Sequence, residues 1–428
     1  MRVDDRVHFC PPGRLIIGAG SRAQLPGLIA RLGYRRGVLV TDSFFSRKTP
    51  WVAEYVTAAR ALGIETVVFD GGAPDPTTTL CDDTTATVRR ALDGVSPDHV
   101  VALGGGSNID LAKVVCITLP TGRPTHDFVK GLTPLDRPIP FIAMPTTAGT
   151  GSEATPGAIL IDPDNATKVA VMDNSLRPQI ALIDPELTYT CPPAVTANAG
   201  IDAFTHAIES YLTLDSWLFD RAGSADPGYS GRSSLTMIFA REAITLCVRY
   251  LKRAYDDGSD IEARTGMCYA SIYAALSYGS AGLNAVHGNA YAVAGITHHS
   301  HGTTNAVMLP YVLEELGVAR AQELGEVASI FGITAVDRRQ AIGELSGTVR
   351  SLIGAIGIPT TLKELGIQRA SLPLLLDDAL RVTRLAKAFP VPDVKAAYAR
   401  ILRNSYEGDL GKSRAPEQKR GKSRIPLL

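Results

Sequence analysis

The feature that most constrains the fold is a change in the pattern of apolar residues near residue 190. Before it, short apolar runs rich in β-branched residues alternate with amphipathic helical stretches, which is typical of βαβ units and a parallel sheet. After it, the chain is alanine-rich and helical, with few β-branched runs. The sequence therefore predicts an α/β domain over residues 1–190 and an all-α domain over residues 191–410.

The prediction rests on individual segments whose patterns are typical of strands or helices. We expect strands at 37–41, 66–69, 99–103 and 140–144, and a further pair of strands at 169–172 and 180–183. Amphipathic patterns predict helices at 51–62, 84–92, 203–212, 235–255, 261–276 and 341–356. Turn-forming residues in 215–234 indicate a loop insertion, and the basic, polar tail 411–428 is expected to be disordered.

Composition narrows the range of partners. The 43 acidic residues balance the 43 basic ones, so no overall charge favours nucleic acid or a membrane surface. No apolar run approaches the roughly 20 residues of a membrane span, and the first residues lack a secretory pattern. Six scattered cysteines without a CxxC pair indicate reduced thiols. We therefore expect a cytoplasmic protein with small-molecule ligands and with neither nucleic acid nor membrane as a partner.

A glycine-rich turn follows the predicted strand at 99–103. Gly104, Gly105, Gly106 and Ser107 stand between that strand and a helical segment. Glycines let the backbone approach a ligand closely, and a helix start offers unpaired N–H groups and the positive end of its dipole. The turn therefore predicts a pyrophosphate cradle, although it is not the usual GxGxxG pattern and a plain βα turn remains the alternative.

A second polar turn follows the predicted strand at 140–144. It is dense in hydroxyls and glycine, and Thr146, Thr147 and Thr150 are candidate contacts to phosphate, ribose or nicotinamide. An ordinary hydrophilic loop is the alternative. Two such turns at the carboxyl ends of neighbouring strands are what a ligand cleft in an open α/β sheet requires.

Asp42 comes just after the predicted strand at 37–41. A carboxylate in that position can accept hydrogen bonds from two ribose hydroxyls and would repel a 2′-phosphate, which favours NAD(H) over NADP(H). The other interpretation is that Asp42 caps the next helix.

One carboxylate and three imidazoles form the candidate metal site. Asp202 and His206 lie four residues apart, on one face of a predicted helix, and His287 and His301 follow later in the chain. A single histidine is more often a core or surface residue than a ligand, but this set suits Fe²⁺ or Zn²⁺ with room for a substrate oxygen.

Taken in order, these motifs resemble those of the iron-containing (group III) alcohol dehydrogenases. The resemblance rests on residues 104–113, 144–153, 202–209, His287 and 301–310, and it covers roughly residues 10 to 405. It implies a dehydroquinate synthase-like fold, with a dinucleotide-binding α/β domain, a helical domain and a cleft between them. It further implies an enzyme that interconverts a small aldehyde and a primary alcohol, often as a dimer or larger oligomer.

The resemblance also implies site residues. The metal, Fe²⁺ ahead of Zn²⁺, would be held by Asp202, His206, His287 and His301. The cofactor, NAD(H) with NADP(H) as the alternative, would contact Asp42, Gly105, Gly106, Ser107, Asp110, Thr146, Thr147, Thr150 and Lys168.

Departures from the family pattern near the predicted pocket, among them the residues 154–157 where the family often carries Asn, put the substrate in question. Many members have a second histidine four residues after the third ligand, where this chain has Tyr291, a candidate for passing the proton. The 215–234 insertion is also longer than expected.

Charged and polar groups near the predicted pocket suggest an anionic substrate tail. His298 and His299 beside the fourth ligand, with Arg221 and Arg232 in the insertion, are the candidate contacts, unless they are loop and surface residues. An aldehyde with a phosphonate or carboxylate tail fits these contacts. Within the family, the chain would then resemble the phosphonoacetaldehyde reductases of phosphonate biosynthesis, which form 2-hydroxyethylphosphonate.

Two other functions remain open at this point. A lyase of the dehydroquinate synthase type also uses NAD and a metal, but its first ligand is a glutamate. A ligand-binding relative without catalysis would have lost metal ligands, whereas all four candidates are present here.

Overall fold

The computed structural model describes residues 7–132, 138–164, 167–297, 299–335 and 337–410. Their first half is an α/β unit built on a parallel sheet, and their second half is a bundle of helices. The strands are β1 (Leu15–Ile17), β2 (Arg36–Val40), β3 (Glu65–Phe69), β4 (His99–Gly104), β5 (Phe141–Pro145), β6 (Gly157–Asp162), β7 (Thr167–Met172) and β8 (Ile180–Ile183).

The helices follow the same division. Those of the α/β unit are α1 (Leu25–Arg31), α2 (Ser43–Lys48), α3 (Trp51–Ala61), α4 (Thr78–Ala91), α5 (Gly106–Thr121) and α6 (Thr125–Val129). Those of the helical unit are α7 (Pro193–Leu212), α8 (Ser234–Asp256), α9 (Ile261–Ala281), α10 (Ala285–Thr297), α11 (His301–Glu315), α12 (Ala321–Ile330), α13 (Arg338–Ala355), α14 (Leu372–Arg381), α15 (Thr383–Ala388) and α16 (Val394–Glu407).

The main sheet has the strand order β1-β8-β5-β4-β2-β3, and every pairing in it is parallel. Its central strands β4 and β5 are buried along their whole length, because helices cover both faces of the sheet. From β2 the chain continues to β3 on one side, and from β4 it continues to β5 on the other. The sheet therefore has a topological switch point between β2 and β4, where ligands of open α/β sheets bind.

Two of the predicted strands belong to different sheets. The segments at 169–172 and 180–183 are strands, but they do not pair with each other. β7 forms a separate antiparallel hairpin with β6, whereas β8 lies between β1 and β5 in the main sheet. Short apolar runs identified both strands, yet these runs carried no information on which neighbour each strand joins.

The helical unit packs around one large apolar core to which α7, α8, α9, α10, α11 and α13 contribute. Local signals define where these helices start. Pro193 takes the first position of α7, where its missing N–H costs nothing, and Ser233 and Thr236 form a capping box at the start of α8. The predicted class, a parallel α/β unit followed by a helical unit, is confirmed.

The boundary at residue 190 stays a prediction, although the structure places β8 before it and α7 after it. The predicted 215–234 insertion contains no helix or strand over residues 215–233, and its last residue, Ser234, begins α8. A bridge between Asp215 and Arg232 closes it at its base. The tail 411–428 lies outside the described residues. Among the residues that are described, no helix has the length and apolar character to cross a bilayer.

Candidate metal centre and dinucleotide cleft

Four side chains from the helical unit converge on one point. Asp202 and His206 lie on α7, His287 lies on α10, and His301 is the first residue of α11. One potential ligand atom from each lies within 4.8 Å of all the others. The Nε2 atoms of the three imidazoles are 3.7, 3.9 and 3.8 Å from Oδ1 of Asp202, in the order His206, His287, His301. These separations are too long for hydrogen bonds, so the four groups face a common centre.

A second carboxylate fixes one of these imidazoles. Glu209, one turn of α7 beyond His206, accepts a hydrogen bond from Nδ1 of His287. It also accepts from the backbone N–H groups of Asn284, at 3.1 Å, and Val286, at 2.7 Å, at the start of α10. Glu209 therefore directs Nε2 of His287 towards Asp202. The sequence interpretation missed this residue, although its spacing of seven from Asp202 places it on the same helix face.

Two further groups complete the surroundings. Nδ2 of Asn305 donates to Oδ1 of Asp202 at 2.8 Å, and it lies 3.1 and 3.2 Å from Nε2 of His287 and His301. The ring of Tyr278 stacks on His206 with centroids 4.1 Å apart. Asn305 and Tyr278 were also missed, and only the four-residue spacing of Asn305 from His301 signalled a shared face.

Burial and charge set the protonation of the centre. Burial raises the pKa of Asp202, but the three imidazoles and the hydrogen bond from Asn305 outweigh it and hold that pKa below its usual value. Burial lowers the pKa of His206 to about 4 and brings that of His301 well below its usual value, against the opposing charge of Asp202. At neutral pH the centre therefore combines an ionised carboxylate with neutral imidazoles at His206 and His301, which have free lone pairs.

This donor set fits a divalent first-row metal. Ligands at about 2.0–2.1 Å from a common ion are separated by about 3.4 Å in a tetrahedron, close to the separations found here. One oxygen and three nitrogen donors match the preference of Fe²⁺ and Zn²⁺. Three of the four groups are also buried, which limits competition from water.

The glycine-rich turn lies across a cleft from this centre. Gly105 precedes the first residue of α5, and Gly106 and Ser107 begin the helix, so their N–H groups are available at its positive end. A Cβ on Gly106 would lie 2.7 Å from the side chain of Thr150, so only glycine fits there without movement. Gly106, Ser107 and Thr150 line the cleft together with all four candidate metal ligands.

Lys168 reaches the same cleft from the β6–β7 hairpin. Its ammonium group is 3.1 Å from Oδ1 of Asp75, whose backbone N–H donates to Oγ of Ser107 at 3.2 Å. A cation therefore stands beside the N-terminus of α5, where a pyrophosphate would lie.

Asp110 is buried in a network that holds the hairpin in place. Its carboxylate accepts from Oγ of Ser152 and from the N–H of Ile159, the latter at 2.9 Å. Lys113, one turn further along α5, donates to Oγ of Ser152 at 2.8 Å and to the carbonyl of Gly157 at 2.6 Å. Asp110 borders the cleft, but both of its oxygens have protein partners.

The remaining predicted cofactor contacts, Asp42, Thr146 and Thr147, follow the ends of β2 and β5 in the main sheet. Asp42 caps α2 through the N–H groups of Phe44 and Phe45, and its other oxygen accepts from Nδ2 of Asn108 at 2.8 Å. The structure thus contains the capping interaction that was the alternative for this residue. Thr146 is buried and Thr147 is partly buried, and neither lines the cleft that holds the metal centre.

Three aromatic or cationic groups form the far wall of the cleft. The ring of Tyr291 stacks against His301, with centroids 5.5 Å apart, and the guanidinium carbon of Arg384 lies 6.0 Å from the Tyr291 ring centre. Tyr229, from the 215–234 insertion, lines the same wall. Burial raises the pKa of Tyr291, so its hydroxyl remains protonated at neutral pH and can donate a hydrogen bond.

None of the predicted substrate contacts that the structure describes lies on this wall of the cleft. His299 is exposed and lies outside the residues that line the cleft, and His298 lies outside the described residues. Arg232 is buried in ion pairs with Asp215 at 2.7 Å and Glu323 at 2.6 Å, so it supports the insertion. Arg221 does not line the cleft either.

The fold and site together define a two-domain oxidoreductase with a metal centre facing a dinucleotide cleft. Two family models match the chain: "Iron-containing alcohol dehydrogenase" over residues 12–185, and "Fe-containing alcohol dehydrogenase family, C-terminal" over residues 229–406. The chain belongs to the iron-containing alcohol dehydrogenase family.

Individual relatives agree with this assignment. The chain is 30% identical to the NAD-dependent methanol dehydrogenase of Bacillus methanolicus over 378 residues, 87% of this chain and 92% of the relative. A solved structure of 1,3-propanediol oxidoreductase has a TM-score of 0.84 at 28% identity and covers 94% of this chain and all of its own. The sulfoacetaldehyde reductase of Bifidobacterium kashiwanohense, solved with NAD⁺, has a TM-score of 0.82 at 25% identity, with 94% and 100% coverage. The chain is therefore an NAD(P)- and metal-dependent enzyme of this family.

Proposed function

We propose that the enzyme reduces a small aldehyde to its primary alcohol with NADH, and that Asp202, His206, His287 and His301 hold the catalytic metal, Fe²⁺ ahead of Zn²⁺. The observation that carries this proposal is the convergence of these four donors beside the cleft lined by Gly106 and Ser107. In the balanced reaction, the carbonyl carbon gains a hydride from the nicotinamide and the carbonyl oxygen gains a proton.

The bound metal supplies Lewis acidity, which stabilises negative charge as it develops on the carbonyl oxygen. The chain's own residues orient the reactants. The N-terminus of α5 and Lys168 are placed to hold the pyrophosphate, and the hydroxyl of Tyr291 is placed to donate a hydrogen bond near the reacting oxygen. We assign Tyr291 this donor role because its raised pKa makes it a poor general base at neutral pH.

The test uses full-length protein stripped of metal and reloaded with Fe²⁺ or Zn²⁺. We expect NADH oxidation with a small aldehyde only after reloading. His287→Ala should lose metal and turnover while NADH binding, followed by fluorescence, changes less than threefold. Turnover by the stripped protein would contradict the proposal. Net consumption of NADH also separates it from a lyase that regenerates its NAD.

For the substrate, we propose a small aldehyde with an anionic tail, of which phosphonoacetaldehyde, giving 2-hydroxyethylphosphonate, is one example. The similarity to a sulfoacetaldehyde reductase supports an anionic tail, whereas the similarity to a methanol dehydrogenase supports an uncharged substrate. Comparing kcat/KM for acetaldehyde, phosphonoacetaldehyde and succinic semialdehyde decides between them. A preference for acetaldehyde would remove the anionic proposal.

Assembly and location are proposals as well. We propose a homodimer, which sedimentation velocity tests directly. We also propose a cytoplasmic location, because none of the six cysteines forms a disulfide.

A further inference from the structure

Arg384 is partly buried, and unlike the buried arginines of the described chain it has neither a hydrogen-bond nor an ion-pair partner. Its Nε atom is inaccessible to solvent and makes no hydrogen bond, and no ion pair involves Arg384 within the described residues. By contrast, Arg232 and Arg320 both bind Asp215, and Arg177 binds two backbone carbonyl groups. A buried guanidinium donor without a partner is costly, so an unpaired one on a cleft wall indicates a ligand.

The cleft leaves this charge uncompensated. Among the acidic residues that line it, Asp75 is paired with Lys168, Asp110 is hydrogen bonded to Ser152 and Ile159, and Asp202 belongs to the metal centre. Each of these carboxylates therefore has its own partners. A positive charge remains on the far wall, and an anion is the ligand that would neutralise it.

Aromatic side chains connect Arg384 to the metal centre. The Tyr291 ring lies 6.0 Å from the guanidinium carbon and 5.5 Å from the ring of His301. A short substrate whose carbonyl faces the metal centre would therefore run along Tyr291 and place its other end near Arg384.

The 215–234 insertion also contributes to the cleft wall that contains Arg384 and Tyr291, through Tyr229. Its backbone is tied to α9, because Ser230 and Gly231 donate N–H groups to the carbonyls of Ser280 and Ala281 at 2.8 and 3.1 Å. Gly282 has φ +92°, and a Cβ there would lie 3.1 Å from the Tyr229 ring, so glycine leaves room for that ring. The insertion is thus held so that Tyr229 lines the cleft.

We propose that Arg384, between Tyr291 and Tyr229, binds the anionic tail of the substrate, whether carboxylate, sulfonate or phosphonate, and that the insertion limits the size of the tail. This inference rests on the proposed aldehyde reductase function. It assigns recognition to Arg384, for which neither the motifs nor the family resemblance provided a role.

The test compares Arg384→Met with wild type in metal-loaded enzyme. We expect kcat/KM for phosphonoacetaldehyde, sulfoacetaldehyde and succinic semialdehyde to fall about 10- to 100-fold, the range of a lost charge-assisted contact. For propionaldehyde it should change less than threefold, with KM for NADH and metal content unchanged. Arg384→Lys should recover part of the loss. The matched control is Arg381→Met, which removes an exposed arginine paired with Asp378 on the neighbouring helix.

A binding readout complements the kinetics. Calorimetry with methylphosphonate, in the presence of NAD⁺, should show at least tenfold weaker binding to Arg384→Met. Equal losses for charged and uncharged aldehydes, or no loss for either, would overturn the inference. If wild type oxidises NADH with none of these aldehydes, charged or uncharged, the proposed function itself fails. If it turns over aldehydes but prefers uncharged ones, only the anion site fails.

Discussion

The Glu209 carboxylate and Nδ1 of His287 are hydrogen bonded at the buried centre of the helical unit. This contact sets the tautomer of His287, because a proton on Nδ1 leaves the lone pair on Nε2, 3.9 Å from Asp202. Glu209 also accepts from the first N–H groups of α10, so one side chain fixes both the start of the helix and the ring it carries.

Glu209→Gln should therefore weaken metal binding about 10- to 100-fold, the usual effect of losing an outer-shell carboxylate. Glutamine retains a hydrogen bond to the ring but loses the charge that makes the imidazole more basic. Competition with a chelator measures the dissociation constant, and the exposed Glu242→Gln serves as control. An unchanged dissociation constant would show that Glu209 is needed only for the start of α10.

Asp42→Asn separates the two roles of this residue. Asparagine caps helices as well as aspartate does, so the melting temperature should stay within about 2 °C. Removing the negative charge should shift the ratio of kcat/KM for NADPH to that for NADH at least tenfold towards NADPH. An unaltered ratio would limit Asp42 to capping α2 and contacting Asn108.

Lys113→Met should lower the free energy of unfolding by about 3 kcal/mol. Lys113 is fully buried, and its loss leaves the Gly157 carbonyl, Ser152 and Asp110 without their shared donor or neighbouring charge. Urea unfolding measures the change, with the exposed Lys130→Met as control. A loss below 1 kcal/mol would mean that water replaces the ammonium group at little cost.

Glu153 predicts a specific pH dependence of stability. Burial raises the pKa of its carboxyl to about 7, above the 4.5 of an exposed glutamate. The folded protein therefore binds a proton that the unfolded chain releases near pH 4.5. The resulting stabilisation is complete below pH 4.5 and is lost as the pH rises through 7.

Glu153→Gln keeps the neutral form at every pH. Relative to wild type it should gain up to about 3 kcal/mol between pH 4.5 and 8, measured by urea unfolding at both values. The exposed Glu54→Gln should show no such gain. Parallel pH profiles for wild type and Glu153→Gln would be inconsistent with a protonated Glu153.

The sequence predicted most of the fold, because its strands and helices have strong periodic patterns. The helix predicted at 261–276 is α9, which runs from Ile261 to Ala281. The partner strands of β7 and β8, which lie in different sheets, could not be predicted, since strand pairing depends on long-range topology. The ranges of β1 and β6 were also missed, because β1 has only three residues and β6 lies in a hairpin beside the main sheet.

The site was predicted only where local spacing encodes it. Asp202 and His206 share a helix face, and His287 and His301 joined them through the family motif. Arg384 has no such signal, because it lies on a six-residue helix and reaches the cleft only through tertiary packing. For Arg232 the sequence predicted a contact to the substrate that the structure does not show. This arginine is buried and forms an ion pair with Asp215.

The four donors at the buried centre lie on three helices, of which α7 is far along the chain from the neighbouring pair α10 and α11. An ion that binds all four ties these helices together, and its binding energy adds to the resistance of the whole bundle against heat and proteolysis. Scarcity of iron would then reduce not only the rate of each enzyme molecule but also the number of molecules that survive in the cell.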